Sequence, residues 1–266
     1  MIIDAHIHLS IYQSRGKSLK ECLDILSAEM KKNSVDYAIV IPDNIENDPK
    51  IVDLEVAMKL VKQTDNLFLL GSPQIIQSGI SEEDKYEKLL AKGTIKGIKF
   101  FPGHDPYFPT DERCLPYYEV CQRLDVPVVF HTGENSNNSG AAKYNDPKYI
   151  VEIAMRYPKL KVIITHYFWP KIDYCYEITK DVPNIYFELA GTADDEVLEK
   201  SGGIEKMKAV LTKTIQDRPN QVIFGSDWPM CSIEKHIELV KSLNLTEVIE
   251  KNIFSENAKK VYKLPI

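Results

Sequence analysis

The sequence predicts an α/β fold, a (β/α)8 (TIM) barrel with two short helices after the last strand. Eight short apolar runs alternate with amphipathic stretches, at a spacing of roughly 25 to 35 residues. The runs are nearly continuous in Val, Ile, Leu and Phe, which is typical of parallel strands buried on both faces. Because a helix is predicted after each strand, a parallel barrel is favoured.

The eight predicted strands are bounded by polar or turn-forming residues. In chain order they cover 1–8, 36–41, 67–73, 95–101, 127–132, 161–166, 184–189 and 221–227. An open doubly wound sheet is the alternative arrangement of such strands. It would be favoured by a Gly-x-Gly-x-x-Gly turn after the first run or by a phosphate-binding loop, and the sequence has neither motif.

The stretches between the strands have helical spacing of apolar residues. They predict helices over 18–32, 48–62, 81–92, 111–124, 147–157, 170–180, 193–218 and 232–243, and then two short helices near 246–251 and 255–262. Ser18 and Glu21 predict a capping box, and Asp48-Pro49 and Asp146-Pro147 predict helix starts. Gly202-Gly203 predicts a break that divides the long stretch 193–218 into two helices.

Composition excludes several classes of function. The chain has 266 residues, of which 44% are hydrophobic and 27% charged, and its net charge is −6. The length fits one domain of barrel size or two smaller domains, with a sizeable core, and the eight predicted strands favour a single domain over 1–266. The charge and the lack of a basic block argue against nucleic-acid binding, and no apolar run approaches the ~18 residues of a membrane span. The five cysteines are odd in number and scattered, so we expect a reduced, cytoplasmic protein. We also expect no signal peptide, because a strand is predicted over 1–8.

Polar side chains that can bind metals occur where the apolar runs end. They are His6 and His8 on strand 1, Lys99 on strand 4, His131 on strand 5, His166 on strand 6 and Asp227 on strand 8. In such barrels the active site lies at the carboxyl ends of the strands. Any one of these histidines could be a buried core residue or a surface residue. Four histidines and an aspartate at one barrel mouth instead indicate a metal site.

The spacing of His6 and His8 supports this interpretation. Side chains alternate along a strand, so both imidazoles leave from the same face, roughly 7 Å apart along the chain. Imidazoles and a carboxylate suit a divalent metal ion, Zn²⁺ first and Mn²⁺ second. Such a metal lowers the pKa of bound water toward ~7, and a neighbouring carboxylate can then take the proton.

Several motifs together resemble one known family. They are Asp4-Ala5-His6-Ile7-His8, Gly97-Ile98-Lys99, Val129-Phe130-His131-Thr132-Gly133, Thr165-His166, Phe224-Gly225-Ser226-Asp227-Trp228-Pro229, and Glu256-Asn257-Ala258 followed by Val261-Tyr262. In this order they resemble the amidohydrolase superfamily. The branch is amidohydrolase family 2, which groups small predicted metal-dependent hydrolases with the aminocarboxymuconate-semialdehyde and γ-resorcylate decarboxylases.

The resemblance implies a role for each strand-end residue. It implies one divalent metal ion held by His6, His8, His131 and Asp227. Asp227 would also receive a proton from metal-bound water. His166 would be a second imidazole that faces the substrate, as a polarising or acid–base group.

Lys99 has two interpretations under this resemblance. In binuclear relatives a carboxylated lysine on strand 4 bridges two metals, whereas in this branch the lysine can remain an unmodified amine that contacts substrate. We favour the amine, because the branch is mostly mononuclear. Tyr107, in the loop after strand 4, and Trp169, after His166, are the other predicted substrate contacts. Many relatives have a histidine at the position of Phe101, so His104 does not align with it.

Three functions are open to this sequence. The favoured one is a metal-dependent hydrolase that opens an amide, lactone or similar bond of a small metabolite. The alternative is a lyase, a non-oxidative decarboxylase or hydratase of an unsaturated or aromatic acid. A non-catalytic metal-binding barrel is disfavoured, because structural zinc sites are usually closed and rich in cysteine. We expect a small-molecule substrate and no nucleic-acid or membrane partner, and the sequence leaves a homodimer open.

Overall fold

The structure, a computed structural model, describes residues 1–11, 16–44, 50–76, 82–135 and 138–266. Each of the eight predicted strands is present and is shorter than its apolar run. The strands are β1 Ile3–Ile7, β2 Tyr37–Val40, β3 Leu67–Leu69, β4 Ile98–Phe100, β5 Val128–Phe130, β6 Val162–Thr165, β7 Ile185–Glu188 and β8 Val222–Ile223. All neighbouring strands pair in parallel, in the orders β1-β2-β3 and β4-β5-β6-β7-β8.

Backbone hydrogen bonds join these two groups of strands into a closed barrel. Between β3 and β4, the Gly71 N–H donates to the Gly97 carbonyl at 2.9 Å and the Lys99 N–H donates to the Gly71 carbonyl at 2.7 Å. Between β8 and β1, the Ala5 N–H donates to the Phe224 carbonyl at 3.0 Å. The predicted (β/α)8 architecture is therefore confirmed.

The helices lie where the amphipathic stretches predict them. In the described residues they are α1 Leu19–Lys32, α2 Leu54–Val61, α3 Glu83–Ala91, α4 Leu115–Leu124, α5 Pro147–Arg156, α6 Ile172–Thr179, α7 Asp195–Ser201, α8 Ile204–Asp217, α9 Ile233–Lys241, α10 Glu247–Lys251 and α11 Asn257–Tyr262. The predicted division of 193–218 falls at Gly202, which has a φ of 98°, and Gly203, with 94°. None of the helices in the described ranges is long and apolar enough to cross a membrane.

Two helix starts differ from the predictions. Helix α2 begins at Leu54, and the Asp53 side chain accepts a hydrogen bond from the Val56 N–H at 2.9 Å. Asp48 and Pro49, the predicted start, lie outside the described residues. Ser18 caps α1 as predicted, but the Glu21 carboxylate accepts from the Lys17 N–H rather than from Ser18. The predicted capping box would have the Glu21 side chain accept from the Ser18 N–H. In the structure it accepts from the N–H of the preceding residue, Lys17.

The barrel interior is apolar at one end and polar at the other. Its apolar cluster includes Ile3 and Ile163 of the strands and Val261 and Tyr262 of α11. Helix α11 covers the amino-terminal end of the strands, because the Asn257 side chain donates to the Val222 carbonyl at the start of β8. The carboxyl ends of the strands therefore carry the polar groups.

Candidate metal centre

Three side chains from strands β1 and β8 converge at the carboxyl end of the barrel. The Nε2 atoms of His6 and His8 are 3.3 Å apart. Asp227 Oδ1 lies 3.4 Å from His6 Nε2 and 3.5 Å from His8 Nε2. All three residues are buried. The possible ligand atoms of these three residues all lie within 4.8 Å of one another, which is close enough for them to share one metal ion. Among the described residues, this is the cluster of three or more His, Cys, Asp or Glu side chains that meets that condition.

The spacing of these donors fits a divalent cation. With metal–ligand bonds of ~2.1 Å at tetrahedral angles, neighbouring ligand atoms are roughly 3.4 Å apart. Asp227 Oδ1 is buried and has no hydrogen-bond partner in the described part of the chain. Because a buried carboxylate oxygen without a partner is costly, a cation between the three donors would satisfy it. The donor set of two imidazoles and one carboxylate is typical of catalytic zinc sites.

The local electrostatics keep the donors in metal-binding protonation states. Burial alone would raise the pKa of Asp227, but the neighbouring His166, His6 and His8 hold that pKa well below its usual value. Burial and the nearby Lys99 keep the pKa of His6 well below its usual value, so its imidazole is neutral. A neutral imidazole and an ionised carboxylate are the forms that bind metals.

Asp4 fixes the two segments that carry the ligands. Its Oδ1 accepts hydrogen bonds from the N–H of His6 at 3.2 Å and from the N–H of Ser226 at 2.9 Å. Burial raises the pKa of Asp4 to about 7, and the hydrogen bonds from Ser226 act against that rise. One buried carboxyl group therefore joins β1 to the residue directly before Asp227.

Glu188, at the end of β7, holds the far side of the His6 ring. Its Oε1 contacts His6 Nδ1, and both side chains are almost completely buried. A hydrogen bond at Nδ1 places the lone pair on Nε2, the atom that faces His8 and Asp227. Burial raises the pKa of Glu188 to about 8, and Lys99 acts in the opposite direction. The sequence interpretation missed this residue, although a Glu at the end of the buried run 184–189 was a signal.

His166 directly follows β6 and is held in an unusual backbone conformation. His166, Tyr167 and Phe168 have φ angles of 60°, 55° and 53°, in the left-handed region that non-glycine residues rarely adopt. Such strain clusters at functional sites. The His166 Nδ1–H donates to the Ala190 carbonyl at 2.9 Å, which leaves Nε2 as an acceptor. Burial lowers the pKa of His166 to about 3, so the ring is neutral. Its ring centroid is 5.2 Å from that of His6.

His131 lies beside this group but is not part of it. Its Nε2 lies 3.0 Å from the side-chain oxygen of Asn135, and its ring centroid is 4.8 Å from that of His166. The structure brings together His6, His8 and Asp227, and it places His131 next to His166. The role of His131 as a fourth ligand stays a prediction. His104, which the sequence comparison could not align, has its ring 4.4 Å from the His131 ring.

Lys99 of β4 is buried beside Thr165 of β6. Its side chain is completely buried, and its Nζ donates to Thr165 Oγ1 at 3.4 Å. Burial lowers the pKa of the Lys99 ammonium group to about 8, and the charges of Glu188 and Asp227 act in the opposite direction. A lysine in this environment has a sizeable neutral fraction near neutral pH. Its contact with substrate stays a prediction, as does its unmodified state.

The two aromatic residues predicted at the substrate have other contacts in the structure. Tyr107 is buried, and its hydroxyl accepts a hydrogen bond from the Phe101 N–H at 2.8 Å, which supports the loop after β4. Trp169 lines a cavity of about 460 Å³ with Phe108 and Tyr149, and none of the three metal-site donors lines that cavity. Substrate binding by Tyr107 and Trp169 therefore stays a prediction.

Asn145 is a further residue that the sequence interpretation missed. It is completely buried and joins the loop after β4 to the loop after β5, which carries His131. Its amide nitrogen donates to the carbonyls of Pro102, at 3.0 Å, and Gly133, at 3.1 Å. Its amide oxygen accepts from the Gly133 N–H at 3.0 Å. One side chain therefore sets the spacing of two loops at the barrel mouth.

We expect Asn145→Ala to destabilise the fold by about 2–4 kcal/mol, because it leaves buried backbone groups without partners. Urea unfolding measures the loss. Asn184→Ala is the matched control, since the Asn184 amide contacts three backbone carbonyls away from the site, those of Ala154, Tyr157 and Leu160. Only Asn145→Ala should speed amide hydrogen exchange in 101–107 and 131–135. Equal exchange rates in these two segments in both variants would show that Asn145 does not hold the two loops together.

Comparison with known proteins identifies the family. The family model described as Amidohydrolase (Amidohydro_2) matches residues 3–264. The chain belongs to this amidohydrolase family. The family resemblance inferred from the motifs is therefore confirmed. A search of curated proteins gives no significant match.

Solved structures with the same fold cover several reactions. An uncharacterised TIM-barrel protein from Bordetella bronchiseptica is 19% identical over 98% of both chains, with a TM-score of 0.77. A probable 2-pyrone-4,6-dicarboxylic acid hydrolase from Acinetobacter baumannii, with citric acid bound, is 15% identical over 99% of both chains, with a TM-score of 0.68. A 5-carboxyvanillate decarboxylase from Novosphingobium aromaticivorans, complexed with manganese and a nitrobenzoic acid, is 14% identical over 99% of this chain and 96% of that chain, with a TM-score of 0.64. Solved structures with this fold thus include a probable hydrolase and a decarboxylase.

Proposed function

We propose that this chain is a metal-dependent hydrolase that opens an amide, lactone or similar bond of a small metabolite. The observation that carries the proposal is the triangle of His6 Nε2, His8 Nε2 and Asp227 Oδ1, with edges of 3.3 to 3.5 Å, beside the neutral ring of His166. When bound there, a divalent cation supplies a Lewis acid and activates water for attack. Three protein donors leave a position open, as catalytic sites require.

The protein residues have distinct roles in this proposal. Asp227 accepts the proton of the attacking water, because its carboxylate is ionised; its Oδ2 lies 3.9 Å from His166 Nδ1. The bond from Nδ1–H to Ala190 fixes the His166 ring so that Nε2 remains available. The proton that Asp227 takes from the water goes on to the leaving group, directly or by way of His166 Nε2, which is an unprotonated acceptor before the reaction.

Our proposal also covers the identity of the ion, a fourth ligand, the cellular location and the kind of partner. We propose Zn²⁺ as the ion, in view of the two imidazoles, and Mn²⁺ as the second choice, in view of the manganese in the decarboxylase complex. We propose His131 as a fourth protein ligand, which leaves a fifth position for water or substrate. Each described cysteine is free, which supports a reducing, cytoplasmic location. The partner that we propose is a small-molecule substrate.

A lyase is the second candidate. The observation that favours it is the structural likeness, over the whole chain, to a decarboxylase with a bound nitrobenzoic acid. Phe168 and Trp169, which follow His166, would then give apolar walls for an aromatic acid. In that reaction the critical step is protonation at carbon, for which His166, with its ring centroid 5.2 Å from that of His6, is again the candidate.

One experiment separates the two candidates. The metal-loaded protein is given a panel of lactones and amides of small carboxylic acids, and in parallel a panel of hydroxybenzoic acids. Hydrolysis in H₂¹⁸O places one ¹⁸O in the product acid without release of CO₂, which is the result we expect. Release of CO₂ from the hydroxybenzoates, with no ¹⁸O incorporation from the first panel, would overturn the hydrolase in favour of the lyase.

A further inference from the structure

We propose that Glu188 and Tyr262 are positioning residues of the metal centre, so that the C-terminal helix α11 contributes to the metal affinity. The inference rests on the proposed metal-dependent function, because it needs a metal ion at His6. Neither Glu188 nor Tyr262 touches the metal, the substrate or the reacting atoms. Helix α11, at the opposite end of the barrel, would nevertheless influence the site.

A continuous chain of contacts runs from α11 to the metal ligands. The hydroxyl of Tyr262 donates to Glu188 Oε2 at 3.2 Å. The other oxygen of the same carboxyl group, Oε1, contacts Nδ1 of His6. The opposite nitrogen of the His6 ring, Nε2, is the atom 3.4 Å from Asp227 Oδ1. Each Glu188 oxygen therefore has one partner, and His6 uses both of its ring nitrogens.

The three side chains have little freedom to rearrange. Tyr262 and Glu188 are both 0% exposed, and His6 is 1% exposed. The backbone at Gly225 presses against two of them, because a Cβ atom at that position would lie 3.0 Å from Glu188 Cγ and 3.1 Å from His6 Cβ. The glycine allows Glu188 and His6 to pack together, and the close backbone then limits rotation of either side chain.

Tyr262 is itself fixed by the apolar interior of the barrel. It packs in the cluster formed by Ile3, Ile163 and Ile223 of the strands together with Val261 of its own helix. The tyrosine hydroxyl thus extends from the amino-terminal end of the barrel toward the centre, where Glu188 lies. Because that hydroxyl is the partner of Oε2, its loss leaves a buried carboxylate oxygen without a hydrogen bond, which is costly.

These contacts predict how each residue affects metal binding. Partners of a metal-bound histidine fix its tautomer and orientation, and their replacement typically costs about 10–100-fold in affinity or activity. Glu188→Gln leaves one side-chain oxygen instead of two, so it cannot keep both the contact with His6 Nδ1 and the hydrogen bond from the Tyr262 hydroxyl, and we expect an affinity loss of about tenfold or more. Tyr262→Phe acts one contact further out, so its loss should be smaller, about threefold to tenfold.

The test measures dissociation constants of the full-length protein for Zn²⁺, by competition with a chromophoric chelator. Visible spectra of the Co²⁺-loaded protein report the ligand geometry, which a purely structural role would not change. Tyr118→Phe is the matched control, because its hydroxyl is buried and donates to the Pro109 carbonyl at 2.7 Å, with no link to the metal ligands. Urea unfolding of the three variants shows whether Tyr262→Phe and Tyr118→Phe lose similar stability.

We expect weaker Zn²⁺ binding in Glu188→Gln and Tyr262→Phe, an altered Co²⁺ spectrum in both, and no change of either property in Tyr118→Phe. If Glu188→Gln fails to fold, Tyr262→Phe alone decides. Wild-type Zn²⁺ affinity and Co²⁺ spectrum in Tyr262→Phe would overturn the inference, as would an equal loss in Tyr118→Phe. Neither readout needs turnover, so the proposed reaction can fail while this inference stands. A wild-type protein that binds no Zn²⁺ would show that the proposed metal centre itself is wrong.

Discussion

Asp227→Asn is expected to lower kcat/KM by about 10²–10⁴-fold, the usual contribution of a positioned acid–base group. Asparagine is almost isosteric with aspartate but is neutral and cannot accept the proton of the attacking water. It also removes the negative charge between the Nε2 atoms of His6 and His8, so metal affinity should fall as well. Steady-state kinetics at saturating metal, together with metal titration, measure the two effects.

Asp125→Asn is the control for that substitution. Asp125 is exposed and pairs with Lys161 and Lys263 at the opposite end of the barrel, and its left-handed backbone suits asparagine. It should leave turnover and metal affinity unchanged. An Asp227→Asn variant with wild-type turnover would show that the carboxylate has no part in the proton transfer.

His166→Ala should produce the second large loss, in turnover and not in metal binding. The ring lies beside the three donors with its Nδ1–H fixed by the Ala190 carbonyl, so Nε2 can take up a proton and pass it on to the leaving group. Its removal should reduce kcat by about 10²–10⁴-fold. Because His166 is not in the group of three donors, metal content per chain should match that of the wild type. Metal analysis and single-turnover kinetics on the same preparation separate the two quantities.

His236→Ala is the control for His166. The His236 ring donates through Nδ1 to the Ser232 carbonyl at 2.8 Å and accepts at Nε2 from the Ala193 N–H at 3.2 Å, as a structural residue does. This substitution should lower stability without loss of metal. If His166→Ala lost its metal, His166 would be a ligand, and the division of roles proposed for the site would be wrong.

The sequence predicted the barrel and the convergence of His6, His8 and Asp227, because both depend on local patterns. Short apolar runs separated by amphipathic helices define parallel strands, and the carboxyl ends of such strands meet at one end of a barrel. His6 and His8 were therefore identifiable from alternation along one strand. Asp227 required the further assumption that β8 closes against β1, and the hydrogen bond from the Ala5 N–H to the Phe224 carbonyl bears that assumption out.

The roles of the supporting residues could not be predicted, because they depend on contacts between distant parts of the chain. Nothing local indicates that Tyr262 of the last helix reaches Glu188 of β7, or that Asn145 joins two loops. Tyr107 was predicted at the substrate from its place in a loop, whereas its hydroxyl accepts from the Phe101 N–H. Which way a loop side chain points is set by tertiary packing and not by spacing along the chain.

We propose that His6, His8 and Asp227 together hold one catalytic divalent metal ion. The most direct test is a crystal structure of the metal-loaded protein, with anomalous diffraction recorded on both sides of the Zn²⁺ absorption edge. We predict one anomalous peak per chain, about 2.1 Å from His6 Nε2, His8 Nε2 and an oxygen of Asp227. A peak remote from these atoms, or two peaks bridged by a carboxylated Lys99, would contradict the single-metal centre.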